Sequence, residues 1–197
     1  MGLVYGVGVN NYAGHISVNG KHNYDYTCWK GVLRRCYSDE YHETHPTYKG
    51  CSISDEFLFF DCFRTFIVEQ KGFNCVDEQG RRFALDKDLL SPKIKEYTRN
   101  TICFIPVELN SLLTQRHNHR GECLIGVRLS PIGKYNAQIS RQGKRYSLGY
   151  YSTEIEAFYA YKEAKENYIK ELANKWKDQI DIRVYEALMA WAISIDD

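Results

Sequence analysis

Hydrophobic residues recur at two different spacings along this chain of 197 residues, and together the two spacings predict a mixed α+β protein. In the N-terminal part the spacing is helical, in two separate segments. The first helical set has Thr27 as its predicted N-cap: Trp29, Val32, Leu33 and Cys36. The second set is strongly aromatic and ends before Gly72: Phe57, Phe60, Phe63 and Ile67.

Short segments of other periodicity surround these helices. The opening stretch, YGVGVNNYAGHISVNGKHNYDY, indicates two or three short strands, and both Asn10-Asn11 and Asn19-Gly20 are typical of tight hairpin turns. A central stretch, residues 82–113, predicts a strand in RRFALDKDLL and a second strand in TICFIPV. Pro106 then marks the start of a helix, so the predicted order is strand, loop, strand, helix.

The C-terminal third is the most regular part of the pattern. Residues 126–151 predict three strands, with turns at 131–133 and 142–143. A long helix follows, and Thr153 with Glu156 matches a capping box. The apolar stripe of this helix faces the sheet: Ala157, Tyr161, Ala164, Tyr168, Leu172 and Trp176. A last helix within VYEALMAWAI is predicted to pack back on the body.

These patterns predict an α+β fold in three parts. Residues 1–115 form an N-terminal domain with a hairpin, two helices and the strand–loop–strand–helix motif at about 82–113. Residues 122–178 form a three-stranded antiparallel sheet packed on a long helix, and residues 179–197 add the C-terminal helix.

Composition narrows the class of protein. Hydrophobic residues make up 44% and charged residues 26%, which indicates a chain that buries a core rather than a disordered one. No apolar run approaches the ~20 residues that span a bilayer. The N-terminus also lacks the basic and apolar regions of a signal peptide, so we predict a cytoplasmic protein without a membrane partner.

The seven cysteines include no CxxC pair. In a protein without a secretion signal, reduced thiols are the simplest interpretation. A zinc site is the alternative, although the spacings of its candidate ligands match no common zinc pattern: Cys28, Cys36, Cys51, His42 and His45.

The net charge of +1 points to no partner, but the distribution of charge does. Residues 126–151 contain five Lys or Arg and no Asp or Glu. Alternation along the strands predicts an outer face of polar and basic residues: Arg128, Lys134, Asn136, Gln138, Ser140, Arg145, Ser147 and Gly149. The opposite face, toward the helix, is predicted to carry Tyr135, Ala137, Ile139, Tyr146 and Leu148. Arg, Gln and Asn can read base edges, and Lys or Ser can hold phosphates.

The stretch GVRLSPIGKYNAQISRQGKRYSLGYYSTEIEAFYAYKEA resembles the Apetala-type DNA-binding domain of plant ethylene-response factors and of phage and bacterial endonucleases. The matching signs are Gly-Val-Arg, Tyr-x-Ala-x-Ile, and Leu-Gly-x-Tyr followed by Thr, Glu-Ala and Ala-Tyr. The resemblance covers about sixty residues and implies that the sheet contacts double-stranded DNA. The residues it implies as DNA contacts are Arg128, Lys134, Gln138, Arg141, Lys144 and Arg145. A solvated sheet face is the alternative interpretation of the same residues.

The central motif resembles the HNH, or ββα-metal, nucleases, and the whole chain resembles phage-encoded HNH endonuclease-like proteins. The second half, NTICFIPVELN, supplies the matching asparagines, Asn100 in the loop and Asn110 on the helix. The resemblance implies one Mg²⁺ or Mn²⁺ per monomer, held by Asp86, Asp88 and Asn110. No His occupies the hairpin centre, where Lys87 or Asp88 stands instead.

The implied catalytic set is therefore Asp86, Lys87, Asp88, Asn100 and Asn110. The leading hypothesis is a DNA-binding, HNH-like endonuclease or nickase, acting as a monomer or homodimer in the cytoplasm of a host cell. One alternative is a DNA-binding regulator without catalysis. Another is a phage effector that binds a host protein with the same fold.

Overall fold

The computed structural model describes residues 2–114 and 123–196, and within those ranges it contains six α-helices and nine β-strands. The expectation of a mixed α+β fold with a three-stranded sheet and a long helix is confirmed. The chain divides into two units, residues 1–107 with 179–184 and residues 108–178 with 185–197. The predicted domain boundaries at residues 115 and 122 lie outside the described residues.

The first unit begins with short elements around two tight turns. Its helices and strands are, in chain order, β1 (Ser17–Val18), β2 (Lys21–His22), α1 (Tyr24–Tyr37), α2 (Asp39–Thr44), β3 (Ser52–Ile53), α3 (Phe60–Val68), β4 (Ala84–Asp86), β5 (Glu96–Tyr97) and β6 (Cys103–Ile105). The expected turn at Asn19-Gly20 joins β1 to β2, and both of its residues have positive φ. The other turn falls at Tyr5-Gly6 instead of Asn10-Asn11, because the bridge that closes it joins Val4 to Gly8.

Helix α1 begins earlier than the sequence pattern predicts. Its N-cap residue is Asn23, so Thr27 lies inside the first turns and donates its hydroxyl to the Asn23 carbonyl at 3.0 Å. The earlier start places Tyr26 against the aromatic core, where its ring meets Phe60 edge to face. Burial of that face extends the helix beyond the point that local capping signals indicate.

The core of the first unit is aromatic, as the sequence predicts. The Trp29 indole is fully buried and donates to the Phe57 carbonyl at 2.8 Å. Helix α3 turns Phe63 and Ile67 into the same core. The aromatic segment therefore serves packing, since an exposed stacking platform would leave these rings open.

Strands β4 and β6 pair antiparallel, with Asp86 opposite Cys103 and Ala84 opposite Ile105. The two strands predicted in the central segment are thus present. The pattern did not predict β5 between them, which pairs in parallel with β3 through Ser52–Glu96 and Ile53–Tyr97. Strands β3 and β5 have two residues each and are separated by more than forty residues. Segments this short show no periodicity from which their pairing could be predicted.

The second unit contains the predicted sheet and long helix. Its elements are α4 (Val107–Leu113, whose first residue belongs to the first unit), β7 (Val127–Leu129), β8 (Tyr135–Arg141), β9 (Lys144–Tyr151), α5 (Glu154–Trp176) and α6 (Ile182–Ala190, which begins in the first unit). The sheet order is β7-β8-β9, antiparallel throughout. The capping box at Thr153 and Glu156 is confirmed, with both reciprocal hydrogen bonds present.

Helix α5 covers one face of this sheet. Ala137 is fully buried against Ala157, Phe158 and Tyr161, and Ile193 from the C-terminal segment joins them. Because this core lies entirely on one side, the other side of the sheet is left to polar side chains.

Candidate functional site

The side of the β7-β8-β9 sheet away from α5 is named here the open face. Residues opposed across antiparallel strands point to the same side, so the register defines its composition. Its cross-strand rows are Arg128–Asn136–Tyr150, Gln138–Ser147 and Ser140–Arg145. Lys134 immediately precedes β8 and is exposed, as are Arg128 and Arg145. None of these positions carries an acidic side chain.

A β-bulge changes which residues reach the open face. The register shifts between Ala137 and Gln138, which brings Gly149 opposite buried Ala137. Gly149, predicted on the outer face, therefore lies on the helix side, and Tyr150 takes the outer position with 58% of its surface exposed. The isolated glycine inside a strand pattern was the signal in the sequence that indicates such a bulge.

Asn136 lies beneath the open face rather than on it. Only 4% of its surface is exposed, and its polar atoms are hydrogen-bonded within the sheet. Its Nδ2 donates to Ser147 Oγ at 2.6 Å and to the Gly149 carbonyl at 3.0 Å, while its Oδ1 accepts from Gln138 Nε2. A buried amide that is satisfied in this way fixes its neighbours and cannot itself read a base edge.

Two of the six residues proposed as DNA contacts lie on the other side of the strand ladder. Arg141 and Lys144 are paired across the hairpin, one step beyond the Ser140–Arg145 row. The Arg141 guanidinium lies 4.5 Å from the centre of the Tyr168 ring on α5. Arg141 therefore packs on the supporting helix, and the open face retains Arg128, Lys134, Gln138 and Arg145 from the predicted set.

The carboxylate of Glu108 supports the turn of this hairpin. The Glu108 carboxylate accepts from the backbone N–H of Gln142 at 3.3 Å and from the Tyr168 hydroxyl. Burial raises the pKa of Tyr168, and the hydrogen bond to Glu108 adds to the rise, so the phenol remains a donor at neutral pH. Glu108 is thereby held at the turn by donors of the second unit.

The Asp-Lys-Asp segment lies at the end of β4 in the first unit. Asp86 is half-buried, and its Oδ1 accepts from the Leu89 N–H at 2.9 Å, which closes a turn. Burial raises the pKa of the Asp86 carboxyl; the Leu89 N–H opposes this rise and the charge of Asp88 adds to it. Asp88 is exposed.

Lys87 is buried, although the Asp88 carboxylate with which it pairs is exposed. Only 4% of its surface is exposed, and its Nζ pairs with Asp88 Oδ1. The same Nζ lies 5.7 Å from the centre of the buried Tyr97 ring, and the Arg35 guanidinium lies 5.3 Å from that centre. The side chain that the sequence placed among the catalytic residues thus has a packing role that sequence reasoning missed.

The two asparagines of the predicted nuclease site occupy different units. Asn100 is exposed in the turn before β6, where its backbone N–H donates to Thr98 Oγ1 at 3.2 Å. Asn110 lies on α4 in the second unit, and its carbonyl accepts from Thr114.

The carboxylate oxygens at the end of β4 are the type of ligand that a hard divalent ion binds, because Mg²⁺ prefers carboxylate oxygens and keeps several waters. Asp86 and Asp88 supply two carboxylates, one of which is already paired with Lys87. Within residues 2–114 and 123–196, no group of three or more His, Cys, Asp or Glu side chains is positioned to hold a metal ion. Asp86 and Asp88 thus offer two carboxylate ligands, and water would complete the coordination of a bound ion.

The cysteines are all free thiols, and Cys28, Cys36, Cys51 and Cys103 are buried. Burial raises the pKa of Cys28 to about 11 and that of Cys36 to about 12. Such thiols stay protonated at neutral pH and are poor nucleophiles. No helix among the described residues is both long and apolar enough to cross a membrane.

Comparison with known proteins adds no relative. No family model matches the chain, and no curated protein and no solved structure resembles it significantly.

Proposed function

We propose that this protein binds double-stranded DNA through the open face of the β7-β8-β9 sheet. The observation that carries the proposal is an exposed, acid-free sheet surface with Arg128 near one end and Arg145 at the other. Proteins that neutralise phosphates gain affinity by releasing counterions, and such surfaces are basic and polar.

The dimensions of the open face suit a DNA groove. Its three rows run from Asn136 to Ser140 along β8, a length of about 13 Å at about 3.3 Å per residue. The major groove of B-DNA is about 12 Å wide and admits β-strands. In this proposal Arg128, Lys134 and Arg145 hold phosphates or guanine edges, and Gln138 faces the bases from the middle row.

Neighbouring residues on opposite sides of the hairpin give a matched test of the face. Arg145→Ala should weaken binding to duplex DNA about tenfold, because one charged contact of about 1–2 kcal/mol is lost. Lys144→Ala removes the same charge from the adjacent position on the helix side and should change affinity less than about threefold. Fluorescence anisotropy with a labelled duplex measures both. Equal losses in the two variants would argue for a diffuse charge effect and against this face.

A second candidate function is metal-dependent hydrolysis of a DNA phosphodiester at the end of β4. The observation that favours it is the antiparallel β4–β6 pair, with Asp86 at the end of β4 and Asp88 two residues further on. A bound Mg²⁺ would polarise the phosphate and stabilise the leaving oxygen. Asp86 and Asp88 would hold the ion, and Lys87 would orient the Asp88 carboxylate through their ion pair.

For this second function, supercoiled plasmid incubated with the protein and Mg²⁺ or Mn²⁺ should be nicked. Asp88→Asn should abolish nicking, since the amide lacks the negative charge that the cation requires, while duplex affinity should stay within about twofold. Agarose gels and anisotropy measure the two quantities. Intact plasmid with wild-type protein, or undiminished nicking by the Asp86→Asn/Asp88→Asn variant, leaves DNA binding without cleavage as the function.

A further inference from the structure

We infer that Gln138 selects an adenine in the major groove, and that Asn136 is the positioning residue that sets the direction of the Gln138 amide. This inference rests on the proposed DNA-binding function and names the base that the same face prefers. It follows from a hydrogen-bonded chain of three side chains and one carbonyl in the centre of the open face.

The Gly149 carbonyl fixes the direction of this chain. A backbone carbonyl only accepts, so the Asn136 atom 3.0 Å away must be the amide nitrogen. The second Nδ2 hydrogen is directed to Ser147 Oγ at 2.6 Å. The Asn136 carbonyl Oδ1 is then left at the opposite end of the amide, where it needs a donor.

That donor is the Gln138 amide nitrogen. Gln138 therefore cannot rotate its amide by half a turn without placing two carbonyl oxygens against each other, which costs a buried hydrogen bond and adds repulsion. One Nε2 hydrogen is committed to Asn136. The other hydrogen and the carbonyl Oε1 remain to contact a ligand, and Oε1 accepts from no residue in the part of the chain that the structure describes.

A donor beside an acceptor on one planar amide is complementary to a single base edge in the major groove. Adenine presents the N7 acceptor beside the N6 amino donor, which a glutamine amide can engage with two hydrogen bonds. Guanine presents two acceptors, N7 and O6, so Oε1 would face another oxygen. Thymine offers one acceptor and a methyl group, and cytosine offers one donor.

The position of Gln138 on the face suits this role. It lies in the middle row, between the row that contains Arg128 and the row that contains Arg145. Charged contacts on both sides would fix the depth and register of the sheet in the groove, since phosphate contacts position a protein and base contacts specify sequence. Because the amide is held in place before binding, little rotamer freedom is lost on contact.

The experiment begins with a pool of duplexes containing a randomised central region, from which the wild-type protein selects its preferred sequence. Each adenine of that sequence is then replaced in turn by 7-deazaadenine, which removes only the N7 acceptor. At one position the wild-type protein should lose about tenfold in affinity, as expected when a two-bond contact is broken. Gln138→Ala should bind the unmodified duplex about tenfold more weakly and should lose nothing further from that replacement.

Asn136→Ala tests whether Asn136 sets the direction of the Gln138 amide, separately from the contact between Gln138 and the base. Without the Asn136 carbonyl, both Nε2 hydrogens of Gln138 are free to face the two guanine acceptors, so this variant should accept guanine at the selected position within about threefold of adenine. Ser140→Ala is the matched control on the same face, outside the hydrogen-bonded chain, and should keep the adenine preference. Circular dichroism and thermal unfolding establish that each variant is folded; if Asn136→Ala is not, the 7-deazaadenine comparison with Gln138→Ala decides alone.

The possible outcomes distinguish failure of the adenine preference from failure of the proposed DNA binding. If no duplex binds even at low ionic strength, the proposed function fails and the inference fails with it. If duplexes bind but no adenine depends on Gln138, the base assignment is wrong while DNA binding stands. An adenine whose N7 matters to the wild-type protein and not to Gln138→Ala supports the inference.

Discussion

Gly126→Ala should strongly lower the stability of the second unit, where the sheet packs on α5, although it adds only one methyl group. Gly126 has a φ of +76°, and an added Cβ would lie 2.1 Å from Cγ of the buried Tyr161 ring. The strained backbone and the overlap with the ring together should cost about 3 kcal/mol or more. The midpoint of urea unfolding, followed by circular dichroism, should fall accordingly.

Gly133→Ala separates the two causes. Gly133 has almost the same φ, +73°, but its added Cβ meets no atom within 4 Å. This control should cost only the backbone strain, about 1 kcal/mol. The Gly126 carbonyl also accepts from the Gln138 N–H at 2.8 Å, so the damaging variant should lose duplex binding as well. Equal stability of the two variants would contradict the close approach of the Gly126 backbone to the Tyr161 ring of α5.

Reversing both arginines of the open face should have the largest effect on binding. In Arg128→Glu/Arg145→Glu, the two proposed attractive contacts with DNA would become repulsive, and each like-charge contact costs several kcal/mol. Affinity for a duplex should therefore fall by at least roughly 100-fold in an anisotropy titration. Both residues are exposed, so the fold should tolerate the change.

The matched control reverses two exposed lysines of the first unit, Lys21→Glu/Lys71→Glu, with the same change in net charge. Long-range attraction decays over about 10 Å at moderate salt, so this variant should lose less than about fivefold. A control that binds as weakly as the arginine variant would indicate that net charge, not the open face, governs affinity.

The second unit shows how far local signals reach. Its strands, its turn at Gln142-Gly143 and its capping box follow from alternation, positive-φ turn residues and a Thr-x-x-Glu pattern, and the structure contains all three. Each signal acts within a few residues, so a single sequence is enough to predict it. Alternation fails only at the bulge, where one extra residue moves Gly149 inward and Tyr150 outward.

The first unit contains features that these local sequence signals do not predict. Burial of Lys87 was not predicted, because charged side chains are seldom buried and the Tyr97 ring that accommodates it comes from β5. The expected N-cap at Thr27 was wrong for a related reason, since tertiary packing of Tyr26 extends α1 toward its N-terminus. In both places the structure depends on residues that are distant in the sequence, so a local pattern cannot predict it.

The implied nuclease residues show the same limit. Asn100 and Asn110 were expected as the asparagines of a nuclease motif and Asp86 and Asp88 as its metal ligands, whereas in the structure Asp86 closes a turn and Asp88 pairs with Lys87. Whether such carboxylates hold a metal depends on the geometry of their surroundings, which residue types alone do not specify. The plasmid experiment with Asp88→Asn tests this motif independently of the sheet.

The affinity of the wild-type protein for duplex DNA across a range of salt concentrations tests the role of the open face most directly. If Arg128, Lys134 and Arg145 neutralise phosphates, the logarithm of the binding constant should fall with the logarithm of salt at a slope of about −3. The Arg128→Glu/Arg145→Glu variant should lose most of that slope. Absence of binding in dilute buffer, or wild-type binding that is insensitive to salt, would contradict a DNA-binding sheet.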